Sequence, residues 1–266
     1  MAGVQDRIVN VWDDKIKAHV KVAGSGPALV FLHGGWGPRW TEFHDTLARQ
    51  FTVYAPDHPG TSEGDPESHR ALDDMWDLVL FYDELFDKLG LDKPALVGHS
   101  FGGMVAGDIA ANFSKRIGKL VLIDSLGIWL DESPIRNYMV TPITDLIPMI
   151  FANPNDPSIG TFVPNPTDTE AMVRTHWALG CTGKFCWPIP DKGLRKRIHR
   201  VSAPTMVLWG KQDHLTPAAY AHEFAKLIKG AKVELIDKAS HMLPIEQPAA
   251  AAKAVADFVK RQPQAR

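Results

Sequence analysis

Residues 98–102, Gly-His-Ser-Phe-Gly, place a serine between two glycines in the pattern G-x-S-x-G. An apolar, strand-like stretch (94–97) runs directly into them, and a run of small, helix-compatible residues (103–111) leaves them. A serine on a sharp turn from strand to helix is a nucleophile elbow. The strained turn thrusts the hydroxyl out at the end of a sheet, and the next backbone N–H points to where an oxyanion would form. With 21 glycines in 266 residues, a chance match to the pattern is expected roughly 0.06 times per chain, so its surroundings decide its meaning.

A serine hydroxyl needs a base, and the base needs a group that orients it. Of eleven histidines, His241 follows the last predicted strand in Ala-Ser-His-Met-Leu-Pro (239–244), at the same sheet edge as Ser100. His33 also follows a strand but opens the turn His33-Gly34-Gly35. His99 lies inside the elbow and faces away from Ser100, and His214 adjoins an acid candidate too closely to receive its hydrogen bond. The other seven lie on strand faces, helices or loops without a matching acid. Two aspartates sit at strand ends facing the same edge, Asp213 in Trp-Gly-Lys-Gln-Asp (209–213) and Asp124. The chain order Ser…Asp…His favours Asp213; a helix cap or turn role is the ordinary alternative for either. Residues 33–37, His-Gly-Gly-Trp-Gly, follow another apolar strand, and their glycines let the backbone curl toward the serine. Oxyanion donors would be the N–H of Phe101 and that of Gly35 or Trp36, each worth roughly 3–4 kcal/mol in a transition state.

These residues require elements that bring distant loops to one edge. Residues 8–11 and 16–22 read as paired strands around a turn at Asp13-Asp14. A continuous apolar run at 28–32 reads as a strand buried on both faces, and 51–55, 94–97, 120–123, 205–209 and 232–236 read as further strands. Helical patterns at 40–50, 72–89, 103–111, 218–228 and 249–259 alternate with them. Alternating β and α units predict a parallel sheet with helices on both faces, and ligands bind at the carboxyl ends of its strands. The rhythm breaks at residues 126–198, which are rich in proline, asparagine, aspartate and tryptophan. They read as an inserted cap, flanked by a core of 1–125 and 199–266. The cap's aromatic and apolar side chains mostly pack its own helices. Trp129, Trp177 and Trp187, with Met242 beside the histidine, are the candidates to line a substrate pocket.

With 45% hydrophobic residues the chain can bury a full core, and a net charge of −2 offers no field for nucleic acid or anionic membrane. No run approaches the length of a membrane span, and residues 1–10 lack the apolar segment of a secretory signal, so a cytoplasmic location is expected. The two cysteines, Cys181 and Cys186, do not make a disulfide framework. With His176 they offer three irregularly spaced ligands and no metal site. No cofactor is expected, and a small molecule is the expected partner.

In order, His33-Gly34-Gly35, residues 57–62 (Asp-His-Pro-Gly-Thr-Ser), the elbow 98–103, Ala203-Pro204-Thr205 with 209–213, and His241 with Glu246-Gln247-Pro248 resemble the α/β-hydrolase superfamily over nearly the whole chain. The resemblance implies an eight-stranded, mostly parallel sheet, a helical cap after the sixth strand, and a Ser100–His241–Asp213 triad. Ser240 stands where many relatives carry glycine, and His58 where many carry arginine; neither removes a group the triad needs. Ser100 in place of an elbow aspartate argues against dehalogenases and epoxide hydrolases. Met242-Leu243 lacks the tryptophan that often follows the histidine in carbon–carbon bond hydrolases. The resemblance implies a serine hydrolase acting on a small to medium carboxylic ester. The alternatives are a carbon–carbon bond hydrolase of the meta-cleavage type, a cofactor-free perhydrolase, and a non-catalytic ligand receptor on the same scaffold.

Overall fold

The computed structural model describes residues 3–165 and 167–261. Eight strands form one sheet: β1 (Gln5–Val11), β2 (Ile16–Ala23), β3 (Ala28–Leu32), β4 (Thr52–Pro56), β5 (Ala95–His99), β6 (Lys119–Ile123), β7 (Thr205–Gly210) and β8 (Lys232–Ile236). Their spatial order is β1-β2-β4-β3-β5-β6-β7-β8. The β1–β2 and β2–β4 pairs are antiparallel, and every other pair is parallel. The turn between β1 and β2 places Trp12, Asp13 and Asp14 at positive φ, where aspartate is among the side chains that tolerate it.

The central strands send alternate residues into two separate layers, as a period of two requires. Val30, Leu32, Leu96, Leu120, Leu122, Val207 and Trp209 face one core. There they meet α2 (Met75–Lys88), α3 (Phe101–Asn112) and α7 (Ala219–Leu227). Leu29, Phe31, Val97, Val121, Ile123 and Leu208 face the other, against α1 (Glu42–Ala48), α8 (Leu243–Glu246) and α9 (Pro248–Lys260). Helix α3 follows the elbow and is buried along almost its whole length, consistent with its apolar character on every side. Helix α2 starts three residues later than the apolar spacing alone suggests. Asp74 caps it by accepting the N–H groups of Trp76 and Asp77, and Leu72 stays extended.

Between β6 and β7 lie α4 (Ile143–Ile150), α5 (Ile159–Phe162) and α6 (Thr169–Cys186). Their contacts run to loops at the carboxyl ends of the parallel strands. The Thr182 hydroxyl donates to Gly35 O after β3, and Trp177 Nε1 donates to Gly60 O after β4. The Phe185 and Phe101 rings stack 6.4 Å apart. At the end of α4, Met149 O accepts His214 N–H beyond β7, and Ile150 O accepts Met242 N–H beyond β8.

Candidate active site

The local sequence around Ser100 admits only glycine on both sides. A β-carbon on Gly98 would lie 2.2 Å from Gly102 O, and one on Gly102 would lie 2.2 Å from Leu32 O. With those approaches open, Ser100 takes φ 54° and ψ −117°, a strained conformation for a side-chain-bearing residue. The strain is held by backbone bonds: Ser100 N–H donates to Ile123 O, and Ser100 O accepts the N–H groups of Gly103, Met104 and Leu126.

Ser100 Oγ lies 2.8 Å from His241 Nε2. His241 Nδ1 lies 2.9 Å from Asp213 Oδ2. All three residues are buried. The carboxylate only accepts, so His241 carries its proton on Nδ1 and leaves Nε2 free to accept the serine hydroxyl. The second oxygen of Asp213 accepts Leu215 N–H and Thr216 N–H, both at 2.8 Å. The Thr216 hydroxyl donates to Asp213 Oδ2 at 2.5 Å and lies 3.1 Å from His241 Nδ1. Asp213 thus accepts hydrogen bonds from four donors.

The backbone of the histidine loop is fixed from three sides. His99 Nε2–H donates to His241 O (2.7 Å). Glu246 accepts Ser240 N–H and, with its other oxygen, Ala152 N–H. The Ser240 hydroxyl donates to Met149 O. Asp124, the alternative acid, instead accepts Gly210 N–H (2.8 Å). Burial first, and the neighbouring Asp213 charge second, push its carboxyl well above the usual range. It braces the strand end that leads to Asp213.

Among the described residues, the N–H groups of Gly35 and Trp36 have no acceptor, although both residues are buried. The Phe101 N–H stands in the first turn of α3, where no intrahelical partner exists. The loop carrying the first two packs on the serine: a β-carbon on Gly34 would lie 3.3 Å from Ser100 Cβ. The Trp36 ring covers the histidine, with centroids 6.5 Å apart, and rests on Tyr138 and Phe162.

Two cavities are formed by neighbouring segments, and neither is lined by Ser100, Asp213 or His241. One of about 50 Å³ is bordered by Gly34, Trp36, His99, Phe162 and Met242. The other, of about 110 Å³, lies within the 126–198 segment against Trp129, Arg136, Tyr138, Cys186 and Trp187. Three of the four pocket candidates therefore border a cavity: Trp129, Trp187 and Met242. Trp177 borders neither. Its indole N–H donates to Gly60 O (3.0 Å), with Pro66 O 3.3 Å away, so it fastens α6 to the loop after β4. His176 and the two cysteines are dispersed: His176 Nδ1–H donates to Met172 O within its helix. The Cys181 thiol meets Gly60 O and Cys186 lies against Tyr138, and burial pushes both thiols up to about 11.

Thr216 and Tyr138 were not among the residues singled out from sequence. The signal for Thr216 was present as Asp-x-x-Thr (213–216), an Asx-type turn in which the aspartate accepts backbone N–H groups two and three residues on. Tyr138 carries no such local signal, because its contact with Gly35 crosses about a hundred residues of chain.

The sequence profile of the alpha/beta hydrolase family matches residues 29–254. The chain is 26% identical over 259 residues to the monoacylglycerol lipase of Homo sapiens, covering 89% of this chain and 76% of that one. It is 24% identical over 269 residues to a 2-hydroxy-6-oxo-6-phenylhexa-2,4-dienoate hydrolase of Burkholderia cepacia, covering 91% of both. Its fold is similar to that of a bacterial membrane phospholipase A, with a TM-score of 0.81, 21% identity, and coverage of 97% of this chain and 86% of the other. Among the described residues, no helix is long and apolar enough to cross a membrane.

Proposed function

We propose, for a chain that belongs to the alpha/beta hydrolase family, a serine hydrolase that cleaves small to medium carboxylic esters. The observation that carries the reading is the buried hydrogen-bonded line Ser100–His241–Asp213, at 2.8 and 2.9 Å. His241 Nε2 takes the Ser100 proton as Oγ attacks the ester carbonyl. The oxyanion is received by Phe101 N–H and by Gly35 or Trp36 N–H. His241 then gives its proton to the departing alcohol, leaving an acyl group on Ser100. Water that passes its proton to His241 releases the acid. Asp213 holds the imidazole tautomer throughout and stabilises the imidazolium.

Residues 126–198 act in this reading as a cap that selects the substrate. The cavity of about 110 Å³ suits a compact apolar arm, and the similarity to a monoacylglycerol lipase is in line with an ester of one acyl chain. Carbon–carbon bond hydrolysis by the same residues is the second reading, favoured by the similarity to a dienoate hydrolase. A panel of p-nitrophenyl esters of increasing acyl length, run beside a vinylogous diketone acid, separates the two. Turnover of the esters that disappears in Ser100→Ala is the expected result; turnover retained by Ser100→Ala contradicts the scheme.

A further inference from the structure

Behind the loop that carries Gly35 lies a chain of buried polar groups that the reaction itself does not use. Tyr82 on α2, His58 after β4 and His33 after β3 are all nearly without solvent contact. The direction of each hydrogen bond follows from the partners. His58 N–H donates to His33 Nε2 (3.0 Å), so that nitrogen bears no proton. The neutral His33 ring therefore carries its proton on Nδ1, which donates to Gly34 O at 2.7 Å. His58 Nε2 faces His33 O at 2.8 Å, and since a carbonyl only accepts, Nε2 is the protonated nitrogen. His58 Nδ1 is then left to accept the Tyr82 hydroxyl at 2.5 Å. The Thr61 hydroxyl donates to His58 O. Burial holds both rings neutral, pushing His58 down to about 4 and His33 well below its ordinary value.

The last acceptor in this chain gives it a consequence at the serine. The peptide joining Gly34 to Gly35 is trans, and a trans peptide points its C=O and N–H in opposite directions. Fixing Gly34 O on His33 therefore fixes the direction of Gly35 N–H, one of the backbone donors that has no acceptor among the described residues. Glycine on both sides of this peptide makes its plane easy to turn, so something outside the loop has to set it. Gly34 itself is wedged between His99 and Ser100, with a β-carbon there 3.1 Å from His99 Nδ1.

We propose that Tyr82 and His58, acting through His33, are positioning residues that lock the Gly34–Gly35 peptide with its N–H turned to the oxyanion position beside Ser100. The proposal rests on the serine-hydrolase reading for its kinetic consequence and on geometry alone for the tautomers. Two substitutions of His33 separate the lock from simple packing. Asparagine places an amide donor near the Nδ1 position and can still hold Gly34 O. Glutamine places its amide near Nε2 and cannot. His33→Gln is expected to lower kcat by about a hundredfold with KM unchanged, the loss typical of one oxyanion donor. His33→Asn should stay within about tenfold of wild type, and Tyr82→Phe should lose a few-fold in kcat only. Equal activity of the Asn and Gln variants at matched Tm, or a loss confined to KM, overturns the lock.

The tautomers are read independently by imidazole ¹⁵N chemical shifts in Ser100→Ala, with no turnover required. The expected result is His33 protonated on Nδ1 and His58 on Nε2. His33 protonated on Nε2 overturns the proposal whatever the kinetics show. Absence of ester turnover in wild type, with the expected tautomers present, refutes the hydrolase reading and leaves the lock standing as a description of the loop.

Discussion

His241 and His33 each follow a strand of the parallel part of the sheet, each is nearly free of solvent contact, and each bonds a group at the same sheet edge. They differ in what faces them. His241 Nδ1 meets a carboxylate surrounded by donors, so the charge it acquires on taking a proton has a counter-charge 2.9 Å away. His33 meets a carbonyl and a backbone N–H, with the His58 ring 4.2 Å off, and burial holds it neutral. In the proposed reaction one imidazole takes and gives a proton, and in the proposed lock the other keeps one tautomer. Burial alone does not distinguish a base from a brace. The partner on the far nitrogen does.

Breaking the charged side should cost most. Ser100→Ala and His241→Gln are expected to lower kcat for an activated ester by at least about 10⁴, measured at substrate saturation. Asp213→Asn should cost a similar factor, because an amide can leave His241 in the wrong tautomer. Asp124→Asn, which keeps an oxygen to accept Gly210 N–H, should stay within about threefold of wild type. An Asp124→Asn loss equal to that of Asp213→Asn would reverse the assignment of the acid.

Sharpening the neutral side needs a ring outside the site. His44 caps α1 through Nδ1, and burial lowers it to about 4. Between pH 6.5 and 4 the unfolded imidazole binds a proton that the folded one does not, so stability drops as pH falls through that window. The loss accumulates to roughly 3 kcal/mol by pH 4. His44→Gln keeps a capping-box residue at that position and should remove this share of the acid sensitivity. Urea unfolding of both proteins at pH 7 and pH 4 measures it, and equal pH dependence in the two would show that His44 titrates freely when folded.

A smaller effect is expected at Thr216, whose hydroxyl supports Asp213 and His241 together. Thr216→Val should lower kcat roughly tenfold, in line with one hydrogen bond to a charged group, while KM changes little. The smallest belongs to Trp177→Phe, which removes the indole donor to Gly60 O. It should reduce stability by about 1 kcal/mol and leave kcat nearly intact.

The sheet and the position of Ser100 were legible because each depends on local chemistry. Apolar runs such as 28–32 mark strands buried on both faces, and the glycines at 98 and 102 mark a turn that admits no β-carbon. Asp213 and His241 were legible through chain order, each at the end of a strand. Helix boundaries shifted where a capping side chain overrode apolar spacing, as Asp74 does at the start of α2. The 126–198 segment was legible only as an interruption. Which of its tryptophans face a cavity depends on how α6 docks on the loop after β4. That docking is set by contacts such as Trp177 to Gly60, 117 residues apart, which no local pattern encodes. The Tyr82–His58–His33 chain was hidden for the same reason, since two loops and a helix must assemble before its members meet.

The direct test of the central claim is the site and rate of covalent labelling by a fluorophosphonate, read by intact mass and peptide mapping. The expected result in wild type is a single adduct on Ser100, slowed by orders of magnitude in His241→Gln and absent in Ser100→Ala. An adduct on any other residue, or wild-type labelling in His241→Gln, would contradict a serine activated by His241 and Asp213.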